Sequence, residues 1–226
     1  MKYLTEELYK KMQLFQLPLE DGITLDDLAE AFDIEPDEFL LQELLARDEW
    51  YDKYLPEPLH SQLFDQHGEV SFQQVDDDLW QQINAFRQQT EHDWAIAMTK
   101  VKQQRQQLRR TASPELRQLL DLDLADCEIR KITGIDSKAV TVELYPQWDL
   151  GKILTLRFEG VKDSWMGKFH PDDANWWLVD ELLMDEEQRE GRYQLHALFG
   201  NADYVSQLQF SFADVALQER EDPLGF

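Results

Sequence analysis

The period of the apolar pattern changes near residue 120, and no other feature of the chain constrains its fold as strongly. Before that point apolar residues recur at spacings of three and four; beyond it they alternate with polar ones. The first spacing gathers side chains on one face of a helix, and the second on one face of a strand. The pattern predicts an α+β chain, with an N-terminal helical domain over 1–118 followed by an antiparallel β-sheet or two-layer β-sandwich domain over 119–226.

Thr5 ahead of Glu6 and Glu7, with Leu8, Met12 and Phe15 on one face and Pro18 beyond, predicts a short first helix. Thr24 before Leu25 repeats the start signal. Pro36 opens a further helix through Phe39 and Leu45, which Pro56 and Pro58 close. His67, Gly68 and Ser71 mark a loop. From Asp76 to Arg110 the positions Leu79, Ile83, Phe86, Trp94, Met98, Val101 and Leu108 predict a helix of about 35 residues. Its second half, KVKQQRQQLRR, is so polar that the helix is expected to leave the core after Val101. Ser113, Pro114 and Glu115 cap and start a last helix ending near Leu120.

Beyond Asp121 six strands are expected, in CEIRKI, KAVTVELY, KILTLRFEG, WWLVDELLM, GRYQLHALF and YVSQLQFSF. Turn residues such as Gly134, Asp136, Pro146, Gly151, Gly191 and Asn201 separate them.

With 226 residues, 42% of them hydrophobic, and seven Trp, the chain has the means to bury a core that offsets its conformational entropy. Its formal charge is −24. By segment the net charge is −17 over 1–99, +5 over 100–117 and −12 beyond, so one basic band lies between two acidic stretches. The single cysteine, Cys127, excludes an intrachain disulfide and suits a reducing compartment. The start MKYLTEELYKKM lacks the apolar stretch of a signal peptide, and no run approaches the length of a membrane span, so a cytoplasmic location is expected.

The opening MKYLTEELYKKMQ, the glutamine-rich helix with Trp94, and the passage from LADCEI through FEGV and WWLVDEL to QLHALF and FSF resemble a family of uncharacterised bacterial proteins, mostly from Bacillus relatives, catalogued as a domain of unknown function. Where many such strand domains enter their first strand on His-Asp-Ala, this chain has Ala125, Asp126 and Cys127. The resemblance implies no reaction.

Chemistry-bearing residues are few. The run DLDLADCE holds Asp121, Asp123, Asp126 and Glu128 at an oxygen-rich spacing, but lacks the turn glycine and closing glutamate of a calcium loop, so no metal is expected there. Alternation places Glu181 beside Trp177, Val179 and Leu183, where a carboxylate would serve as an acid or base unless the strand lies at a sheet edge or Glu181 pairs with Arg157 or Arg192 across the sheet. His196 faces away from Leu195, Ala197 and Phe199, and is expected to be solvent-facing or hydrogen-bonded. His60, His67 and His92 are scattered, and Cys127 is expected to be a small buried side chain. The stretch HPDDANWW gathers His170, Asp172, Asp173 and Trp176 in a loop, a natural place for recognition residues.

No glycine-rich phosphate loop occurs, and no cofactor is expected. Lys100, Lys102, Arg105, Arg109 and Arg110 are expected to pair with an acidic surface of the chain itself, and the charge outside the band opposes nucleic acid. Two functional readings remain. One is a non-enzymatic module, immunity- or inhibitor-like, that binds a protein partner of basic character and neither nucleic acid nor membrane. The other is a hydrolase using Asp126, Glu181 and His196 as acid/base groups or as a metal site. Strand order decides whether those three can meet.

Overall fold

A computed structural model of the chain describes residues 2–14, 50, 53–63, 77–146, 148–149, 151–184, 192–201 and 204–222. The helices expected from Thr24 and Pro36, the loop at His67–Ser71 and the turn at Gly191 lie outside the described residues. Four helices are described: α1 (Glu6–Leu14), α2 (Glu57–Leu63), α3 (Asp77–Thr111) and α4 (Pro114–Asp121). Eight strands follow: β1 (Glu128–Thr133), β2 (Ala139–Tyr145), β3 (Lys152–Glu159), β4 (Lys162–Met166), β5 (Trp176–Met184), β6 (Tyr193–Gly200), β7 (Val205–Phe212) and β8 (Asp214–Glu221). The chain is α+β, with helices first and a wholly antiparallel sheet after them.

The strands form one sheet in the order β4-β7-β6-β5-β1-β2-β3-β8. The junction of β1 with β5 is a single register pair, Glu128 opposite Trp176. The sheet also turns back on itself. Phe158 of β3 meets Phe210 and Phe212 of β7 at ring separations of 4.9 and 5.0 Å, although four strands lie between them in the sheet order.

A corner makes this possible. β3 runs into β4 through Gly160 and Val161, β7 runs into β8 through Ala213, and the Ala213 N–H donates to the Glu159 carbonyl at 2.9 Å. Gly160 sits at φ +65°, and a Cβ there would lie 3.0 Å from that of Ala213, so only glycine suits this point. Leu144, Leu156, Phe158, Trp177, Phe199 and Phe210 fill the enclosed core.

β4 and β8 are the strands that the alternation missed. β4 carries a register shift between Lys162 and Trp165, with Asp163 at φ +51°, which erases the period of two. β8 buries only Val215 well and otherwise reads as a charged tail, the usual dress of an edge strand.

The expected departure of α3 from the core after Val101 does not occur. Val101, Leu108 and Ala112 are buried, and Leu108 and Ala112 belong to the same core as the sheet. A buried apolar residue every one or two turns suffices to seat a helix whose remaining positions are polar. α4 continues this packing through Leu116, Leu119 and Leu120, and the Ser113 hydroxyl accepts from the Leu116 N–H at 3.1 Å, as its cap position predicts.

The sequence placed a boundary near residue 118; the compact units of the chain instead meet within α3. One unit comprises 1–6 and 97–226, the other 7–96. The reason is the burial of Val101, Leu108 and Ala112 in the first unit. In the second unit Tyr9 meets Trp94 at 6.1 Å, the Lys10 ammonium lies over Trp50 and Tyr54, and Leu14, Leu55, Leu59 and Ile83 are buried. No helix among the described residues is long and apolar enough to cross a membrane.

Candidate functional site

The loop from Lys168 to Asn175 is braced from inside. Asn175 is wholly buried, and its amide nitrogen donates to the carbonyls of His170 and Asp173, both at 2.7 Å. Its side-chain oxygen accepts from the Tyr204 hydroxyl. That hydroxyl also accepts from the His170 N–H at 3.4 Å, and the two rings meet edge to face at 5.3 Å. The Lys168 ammonium lies 5.8 Å over the Tyr204 ring, and burial raises the Tyr204 pKa above its ordinary value. Both polar atoms of the Asn175 side chain are thereby engaged, the nitrogen on loop backbone and the oxygen on the Tyr204 hydroxyl.

Pro171, Asp172, Asp173 and Ala174 stand exposed at the tip, and His170 is half-buried. Trp176 begins β5 half-buried, while Trp177 beside it is 1% exposed and belongs to the core. Asn175 and Tyr204 are the residues of this candidate site that the sequence reading missed. Only the fold brings Tyr204, 29 positions away, under the loop.

Glu181 and His196 stand opposite one another on β5 and β6, so the sheet does bring this pair together. A register shift between Trp177 and Val179 turns Trp177 inward, so Glu181 shares the other face with Val179 and Leu183 but not with Trp177. Neither expected arginine pairs with it: Arg157 bonds Glu159, and Arg192 donates to the Gly160 carbonyl. The wholly buried Glu181 carboxylate instead accepts backbone N–H groups from the chain's start, Lys2 at 2.7 Å, Tyr3 at 2.6 Å, and Leu4.

His196 is neither solvent-facing nor hydrogen-bonded. It is 8% exposed, and neither ring nitrogen has a partner. Burial lowers its pKa to about 4, against an opposing pull from Glu181, so the ring is neutral at neutral pH.

Asp126 is exposed at φ +62° ahead of β1, with its N–H on the Trp177 carbonyl at 2.8 Å. That is the start of β5, four residues before Glu181. Asp121 pairs with Arg109, and Asp123 accepts from the Ala125 N–H, so these carboxylates serve local turns and ion pairs. Among the described residues no cluster of three or more His, Cys, Asp or Glu is placed to hold a metal ion.

In the basic band Arg105 bonds Asp180 at 2.6 Å and reaches the Leu122 carbonyl at 3.5 Å. Trp177 holds the other Asp180 oxygen through Nε1 at 3.1 Å. Arg105 and Arg109 thus pair within the chain, as the charge pattern suggested. Beside them lies a groove of about 310 Å³, with Leu4, Met98 and Val101 along it and both cations and carboxylates, Lys102, Arg105, Asp123 and Asp180 among them, at its polar side.

These features define an α+β protein with a rolled antiparallel sheet, a braced acidic loop and a buried carboxylate that holds its N-terminal segment. Comparison with protein-family models, with curated proteins and with solved structures finds no match for the chain.

Proposed function

We propose that the protein is a non-enzymatic interaction module that recognises a basic protein partner through the 170–176 loop. The observation that supports this most is the bracing of that loop by Asn175 and Tyr204 beneath an exposed Asp172–Asp173 tip. A recognition loop held in one conformation avoids the ordering cost of binding. Two adjacent carboxylates select a cationic counterpart, and a net charge of −24 speeds its approach. An immunity- or inhibitor-like role in a bacterial cytoplasm, of the kind the resemblance to the uncharacterised Bacillus-type family allows, fits this chemistry.

The hydrolytic alternative asks more of the same residues. Glu181 already accepts three N–H groups, and neither ring nitrogen of His196 has a hydrogen-bond partner through which to act. Selection of a random peptide library on the immobilised full-length protein tests the binding reading. Lysine- and arginine-rich peptides should be enriched, and the enrichment should disappear with Asp172→Asn combined with Asp173→Asn. Enrichment that survives the double substitution, or no basic bias at all, would remove the loop from the account.

A further inference from the structure

The first residues of the chain cross the outer face of three strands. Lys2, Tyr3 and Leu4 donate their N–H groups to Glu181 on β5, and Glu6 accepts from the Gln207 side chain on β7 at 2.8 Å. β6 lies between those two anchors, and the side chain directly across from Glu181 is His196. Leu4 is 1% exposed. Residues 2–6 are therefore a strap, with three consecutive backbone N–H groups fastened to one carboxylate.

We propose that this strap is released by acid, because a proton on His196 draws the Glu181 carboxylate off the amides of Lys2, Tyr3 and Leu4. The neutral ring has one donor and one acceptor, and both nitrogens are buried without a partner. Protonation makes both nitrogens donors and gives the ring a charge that must be paired where it lies. The cross-strand carboxylate is the near acceptor, and a charge-assisted bond to it is stronger than a bond from a neutral amide. The strap and the imidazolium compete for the same two oxygens.

Among the described residues, these other charged groups lie on the elements packed against the pair. From β7 the residue opposite His196 is Gln209, which is uncharged. From the strap come Lys2, whose ammonium lies over the Tyr3 ring at 5.5 Å, and Glu6 on Gln207. From α3 comes Lys100, 5.6 Å over the same Tyr3 ring. Burial, with a smaller push from positive charge at the amino end, disfavours the proton on His196 and outweighs the pull of Glu181, so the pKa falls to about 4. The strap is thus fully fastened at neutral pH and is released as the medium approaches that value. Because Leu4 is also a wall of the 310 Å³ groove, release widens a cleft that is otherwise narrowed.

Nuclear magnetic resonance on the isotopically labelled full-length protein tests this by following the His196 ring and backbone amide protection together as pH is lowered. Protection of the Lys2, Tyr3 and Leu4 amides should fall by about tenfold or more with the midpoint of the His196 titration, while Leu195 and Ala197 stay protected. His196→Gln should keep the strap fastened at that pH, and Glu181→Gln should leave it loose even at neutral pH. Loss of strap and sheet protection in one step, or a strap midpoint separate from that of the ring, would overturn the proposal. So would release of the His196→Gln strap at the wild-type pH, because the carboxylate's own proton would then be the trigger.

Discussion

The side-chain nitrogen of Asn175 bonds the backbone of the loop it supports and its oxygen bonds the Tyr204 hydroxyl, so truncating it removes three buried hydrogen bonds. Asn175→Ala should cost about 3 kcal/mol, read as a lower urea midpoint at an unchanged slope, and should loosen the Asp172–Asp173 tip. His196 acts through protons. It titrates near 6.5 when unfolded and at about 4 when folded, so between those values the unfolded chain binds more protons and stability falls as pH falls. The loss should approach about 1.4 kcal/mol per pH unit within the window and vanish above it. Thermal unfolding across that range should show the slope in the wild type and a flatter profile in His196→Gln. Alternation in the sequence placed His196 on the face away from the core, but it grouped Glu181 with the core residue Trp177, because the register shift between Trp177 and Val179 leaves no mark on the pattern. It could not show that the chain's start covers that face, since the contact spans 177 positions and rests on backbone amides that carry no residue signature.

Elements were legible where their pattern was regular. α3 spans Asp77–Thr111 against an expected Asp76–Arg110, and β5 coincides with WWLVDELLM, because spacing and capping there agree with the tertiary environment. β4 was hidden by its register shift and β8 by its charged edge. The second half of α3 misled for a different reason. A helix needs only a thin apolar stripe when it lies on a closed core, and Leu108 within KVKQQRQQLRR is that stripe. Leu108→Ala should therefore destabilise the protein by about 3 kcal/mol, whereas Lys102→Ala, at an exposed position of the same helix, should change stability by less than about 0.5 kcal/mol. Equal effects in denaturant titrations would return this segment to the surface.

At the scale of the whole molecule, the unit formed by 1–6 and 97–226 joins chain segments that the change of period had assigned to opposite sides of a boundary. A pattern read along the chain reports which face of an element is apolar, not which element will cover it. The bracing of the 170–176 loop was invisible for the same reason, although His170, Asp172, Asp173 and Trp176 could be singled out beforehand. Charge, in contrast, is additive and was readable directly. A net −24 predicts that association with a basic partner slows as salt rises, with dissociation changing much less. The most direct test of the loop as the contact surface is photo-crosslinking in the native cell from a reactive residue placed at Asp172, with one at exposed Thr133 on β1 as reference. The account predicts one discrete basic protein captured from position 172, lost when Asn175→Ala is added, and nothing comparable from 133. The same adducts from both positions, or capture that is indifferent to Asn175→Ala, would contradict it.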